Sequence, residues 1–198
     1  MSIARLLDDD AETARHLAKL GVALAHRGDR KQAISVTTKA ASVATEIGAR
    51  ATLAVALDTL GWLACDRDDP SAARAMFATA LRLRRDVGHR HLEAGHMIGL
   101  AHVASTTGDH HRAARLCGAA MASSDTSHIP LEPIVAGRLG QIIDCLRLCL
   151  DDAGLNAELE DGRTHTQQVT LRALADAIDD PAGLADAVAP DLANVAAE

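Results

Sequence analysis

With 198 residues the chain is long enough to bury a full core, and with 48% hydrophobic side chains but one Trp, one Phe and no Tyr, that core must be filled by Ala, Leu, Val and Ile. A formal charge of −7 and the lack of a basic stripe interleaved with aromatics argue against nucleic acid as a direct partner. No apolar run approaches the roughly 18 residues of a membrane span, and Asp8, Asp9 and Asp10 stand where an export leader would be basic and then apolar. The expectation is a cytoplasmic chain without membrane contact, its four cysteines reduced.

Taken in order, the elements are helical. Leu17, Leu20, Gly21 and Leu24 share one face of a first helix, and Gly28-Asp29 stops it and starts a second that carries Ala33, Thr37 and Ala40. A shift of 40 residues reproduces the pattern: Leu57, Leu60, Gly61 and Ala64, the turn Asp68-Asp69-Pro70, then Ala73, Phe77 and Ala80. A further shift of 40 gives Met97, Leu100, Ala101 and Ala104, the turn Gly108-Asp109, then Ala113, Cys117 and Ala120. Asp is suited to the N-cap at each restart, and Gly48 and Gly88 to the C-cap of the second helices. Small residues at 21, 61 and 101 let a neighbouring helix approach closely.

Beyond this the register decays. Ser123 through Ser127, followed by Pro130 and Pro133, reads as a loop. A helix from about Glu132 to Leu150 is apolar around so much of its circumference (Ile134, Val135, Leu139, Ile142, Ile143, Leu146) that something must cover it. Either the segment after Gly154, with a helix over 166–178, folds back on it, or a second copy of the chain covers it in a homodimer through 134–150. The tail from Asp179, with Pro181, Gly183 and Pro190, reads as a short helix or frayed end. Residues 151–198 hold 11 acidic against 2 basic side chains, whereas 1–150 are nearly balanced.

The recurring Leu17, Leu20, Gly21, Leu24, Ala33 and Ala40 resemble the tetratricopeptide repeat, over about residues 13–122. At 40 residues the unit is longer than the usual ~34, and it looks like the helical arrays of large LuxR-type ATPase transcriptional regulators of bacteria. Arg112 through Ala120 and the later Glu160-Asp161-Gly162-Arg163 are similar to the end of such arrays. The phosphate-binding loop and the helix-turn-helix of those regulators have no counterpart here, so ATP hydrolysis and DNA binding do not carry over. The resemblance implies an all-α, right-handed solenoid of antiparallel helix pairs: three pairs over 1–122 and a closing helical segment over 123–198.

In such arrays the first helix of each repeat lines a concave groove. The corresponding residues are Arg15, Val22 and His26, then Asp58, Trp62 and Cys65, then Ile98 and His102. Trp62 is the natural anchor for a peptide or partner helix, as against a filler between repeats. A carboxylate clamp is not expected, because its Lys and Asn residues are missing at these offsets. A small-molecule effector enclosed near Trp62 is the alternative reading.

Of the ten histidines, six fall between His89 and His111, but His91, His96 and His102 are spaced by five and six, which does not align ligands on a helix. No metal and no cofactor is expected. His110 and His111 fall in the first turn of a helix, facing solvent. The arginines at 82, 84, 85 and 90 read as a solvated helix end. Cys145 and Cys149 share a helix face without a second ligand pair. Cys65 and His102 could approach across the groove with Asp58 or Asp66 nearby, but no motif fixes a base, an orienting group and oxyanion donors in one pocket, so no catalytic residue is expected and the chain reads as non-enzymatic.

Overall fold

The computed structural model describes residues 3–89 and 92–178. Over these residues the chain is all α: α1 Ile3–His26, α2 Arg30–Glu46, α3 Arg50–Cys65, α4 Pro70–Asp86, α5 Glu93–Thr106, α6 His110–Ser127, α7 Pro133–Arg147, α8 Asp152–Thr164 and α9 Thr166–Ile178. The expected helix over 166–178 is present with the same bounds. Arg90, His91 and the tail from Asp179 lie outside the described residues.

The turns follow an internal rule finer than the 40-residue repeat. Positive φ recurs at Gly28, Gly48, Asp68, Gly88, Gly108 and His128, one left-handed residue every 20 positions. At the first five, the residue itself and the next one bond back to the ending helix, as in Gly28 N to Ala25 O (3.0 Å) and Asp29 N to Leu24 O (3.0 Å). This double bond closes a helix and reverses the chain, and glycine is the residue that enters it without a Cβ clash. The sixth, His128, caps α6, so the stretch 123–127 expected to be a loop is helix. Thr126 Oγ1 donates to Ala122 O at 2.8 Å and Ser127 Oγ to Ser124 O at 2.9 Å within that helix, while Ser124 Oγ reaches past its end to Ile129 O at 3.0 Å.

Two of the three expected Asp caps form: Asp69 Oδ1 accepts from Ala72 N at 3.0 Å and Asp109 Oδ1 from Arg112 N at 3.2 Å. Asp29 stands at the N-cap of α2 but accepts no capping bond. Asp151 caps α8, a helix that the sequence pattern did not mark, by accepting from Gly154 N at 2.6 Å.

The chain divides into two compact units, with the change at Leu83–Arg84 inside α4. In the first, α1 and α2 pair closely, and α3 packs on both. Leu24, Leu57, Leu60, Leu63 and Met76 form its core with Ala33, Ala54 and Ala80. The small-against-large expectation holds: a Cβ at Gly21 would collide with Thr37, and one at Gly61 would stand 2.8 Å from the Phe77 ring.

In the second unit α5 pairs with α6, α8 and α9 lie on α6, and α7 packs against α5 and α6. Gly118 of α6 and Gly162 of α8 face each other so closely that a methyl on either would strike the other helix's backbone, at Leu159 and Arg115 respectively. Thr170 of α9 is buried and its Oγ1 lies 3.4 Å from Met97 Sδ of α5.

Candidate binding groove

On α3, every residue from Ala54 to Ala64 is buried except Val55, Asp58 and Trp62, and Cys65 follows them in the same half-buried state. The spacing 55, 58, 62, 65 is a single helical stripe. α1 touches α3 directly and brings Arg15, Val22 and His26 on a stripe of its own, Arg15 and His26 exposed and Val22 half-buried. Arg15 is held along its helix by Glu12 at 3.6 Å and Ala11 O at 3.3 Å. Six of the eight predicted groove residues therefore belong to the first unit.

Trp62 is supported from below. Its indole meets the fully buried Phe77 ring edge-to-face, centroids 5.1 Å apart at 67°. Phe77 reaches that position because Gly61 beside Trp62 has no side chain to keep it away. At the end of α3, Asp66 accepts from Arg30 Nε at 3.0 Å, tying the loop after α3 to the start of α2.

The second unit departs from the predicted ladder. His102 is half-buried like its counterpart Trp62, but Ile98, at the register of Asp58, is 0% exposed and cannot line an open groove. The cause is packing: α5 is flanked by both α6 and α7, and Met97, Ile98, Leu100 and Val103 are all taken into the core.

Other sequence expectations change with burial. The arginines at the end of α4 are only in part a solvated end: Arg82 is exposed, but Arg84 is 8% exposed and lies 3.5 Å from His89 Nδ1, and Arg85 meets the buried Glu93 at 3.5 Å. His111, in the first turn of α6, is exposed as expected and bonds Glu158 of α8, Nδ1 to Oε1 at 2.9 Å, whereas His110 is half-buried. Glu158 also accepts from Arg115 Nη1 at 2.6 Å, and Arg112 meets Asp176 at 2.9 Å, so carboxylates of α8 and α9 are clamped on a basic face of α6. Cys117 is fully buried, and desolvation pushes its thiol up to about 12. Cys145 and Cys149 are exposed, and α7 ends at Arg147, so Cys149 lies beyond the helix the two were expected to share.

A cleft of about 760 Å³ between α6, the end of α8 and α9 was not anticipated; Arg112, Arg115, Arg172, Asp161 and His165 line it. Arginines three apart on α6 opposite an acidic C-terminal segment were its one sequence signal. Among the described residues no three His, Cys, Asp or Glu side chains gather as metal ligands would, and no helix is long and apolar enough to cross a membrane.

A tetratricopeptide-repeat family model matches residues 10–86, the span of α1 to α4. These helices form a tetratricopeptide-like repeat, a class that generally mediates protein–protein interaction. No curated protein and no solved structure matches the chain.

Proposed function

We propose that the chain is a non-catalytic interaction module whose first unit receives a peptide or partner helix along the stripes of α1 and α3. The observation that carries this reading is the α3 stripe: a helix buried on its other sides keeps Val55, Asp58, Trp62 and Cys65 partly open in one line. Trp62 is the anchor, because the Phe77 contact restricts its indole before anything binds, which lowers the ordering cost of association. Arg15, Val22 and His26 offer charge and apolar surface beside it. Acting within a bacterial regulatory system, as the likeness to LuxR-type arrays suggests, such a groove would receive the protein that the module controls.

Trp62 is the chain's lone tryptophan, so its emission reports on the groove directly. Peptides selected from a randomised library are expected to shift that emission, and Trp62→Ala to weaken their binding by about 30-fold, the ~2 kcal/mol of a buried aromatic anchor. Affinity unchanged in Trp62→Ala removes this residue from the site.

A second reading, effector sensing, is favoured by the cleft at α6 and α9, whose volume falls in the range of small-molecule sites. Its lining is charged, with Arg112, Arg115 and Arg172 facing Asp109, Asp161 and Asp176, so the ligand would be a polar molecule rather than an apolar one at Trp62. A thermal shift abolished by Arg172→Ala but kept in Trp62→Ala would favour this reading over the peptide groove.

A further inference from the structure

The last turns of α6 and the first turns of α9 bring hydroxyl groups to the wall of a second cavity, of about 590 Å³, which lies wholly within the second unit. On α6, Ser123, Thr126 and Ser127 share a face at a spacing of three and four, and on α9 Thr166, Gln167 and Thr170 do the same. Ser and Thr are mediocre helix formers, so their concentration on two helix ends that line one cavity does not serve helix stability. Four of the five hydroxyls have already given their hydrogen to a helix carbonyl: Thr126 to Ala122 O at 2.8 Å, Ser127 to Ser124 O at 2.9 Å, Thr166 to Arg163 O at 2.9 Å and Thr170 to Thr166 O at 2.7 Å. What they can offer a ligand is lone pairs. Ser123 and the Gln167 amide make no hydrogen bond among the described residues, so they add donors as well as acceptors.

The charges on this wall are answered in place. Glu93, 6% exposed, meets Arg85 Nη1 at 3.5 Å, and Arg163 Nη2 donates to Asp125 Oδ2 at 2.7 Å. With Asp125 counted, two cations stand against two anions, so neither an anionic nor a cationic ligand gains a net field. The apolar side chains of the lining are Ala122 and Ile129, and a hydrocarbon would leave the hydroxyl lone pairs without partners. We propose that this cavity binds a neutral polyhydroxylated molecule of the monosaccharide or cyclitol class. Each ligand hydroxyl donates to a threonine or serine lone pair and accepts from Gln167 or from a guanidinium N–H, a double role that neither an ammonium nor a carboxylate can take. The volume falls in the range of small-molecule sites. No aromatic side chain lines the cavity, so a sugar ring finds no stacking face and the complex is a weak one. The site shares no lining residue with the α6–α9 cleft and stands apart from the Trp62 stripe.

Saturation-transfer NMR on the full chain, titrated with glucose and with myo-inositol, is expected to give a saturable signal for one or both, and a weaker one for gluconate and glucosamine. The readout is saturable contact and not thermal stability, because sugars stabilise proteins in general through exclusion from their surface. Ser123→Ala combined with Gln167→Ala removes two groups that hold nothing in the fold. This double variant is expected to melt as the parent does and to bind about tenfold more weakly, the loss of one or two hydrogen bonds. No saturable signal from either neutral probe overturns the proposal, as does an affinity unchanged in the double variant. Tighter binding of gluconate or glucosamine overturns it in favour of a charged ligand. A signal kept by the double variant and lost in Arg172→Ala overturns it in favour of the α6–α9 cleft.

Discussion

Gly61 shows how one absent side chain can serve both fold and site. Its missing Cβ admits the Phe77 ring, and that ring in turn braces Trp62. Gly61→Ala is expected to destabilise the chain by about 1–3 kcal/mol through overpacking, and to shift the Trp62 emission in the folded state. Chemical denaturation followed by fluorescence checks both. At Cys117 the relevant quantity is the proton. Its thiol is raised by burial from an ordinary value of 9.0 to about 12, so between these values the native chain holds a proton that the unfolded chain has released. The stabilisation is complete below about pH 9 and is lost as the pH climbs towards 12, a difference of about 4 kcal/mol at most. Denaturation profiles across this range are expected to fall less steeply for Cys117→Ala than for the parent chain.

At the scale of elements, α8 is the informative case. It is short, and its place on α6 rests on a glycine-to-glycine crossing and on a carboxylate shared by Arg115 and His111. Glu158 accepts from Arg115 at 2.6 Å and His111 at 2.9 Å, and it is 22% exposed. Glu158→Ala is expected to cost about 1 kcal/mol after allowance for solvent screening, and to lower hydrogen-exchange protection in α8 before it does so in α2 or α3. Equal loss in all three would place the contribution of Glu158 elsewhere. α6 itself shows where periodicity misleads: its last turn is Ser-Ser-Asp-Thr-Ser, which reads as a loop by composition. The stretch is helical, with Thr126 and Ser127 donating to carbonyls of the same helix and Arg163 reaching Asp125 at 2.7 Å.

For the molecule as a whole, the residues themselves determined the class of fold, the helix pairs and the turns. Leu, Gly and Ala recurring at 40-residue intervals, with glycine or aspartate at the first five reversals, are satisfied by helices that end and pair where these do. The α3 stripe was legible for the same reason, since residues at one offset of a helix share one face. Burial was not legible. Ile98 carries the same register as Asp58 and yet is enclosed, Arg84 looks like a surface residue and is nearly sealed, and α8 follows α7 in the chain but packs on α6. These outcomes depend on which neighbour arrives from a distant part of the chain, and a local pattern of apolar and small residues constrains a helix's own face but not its choice among faces of similar shape.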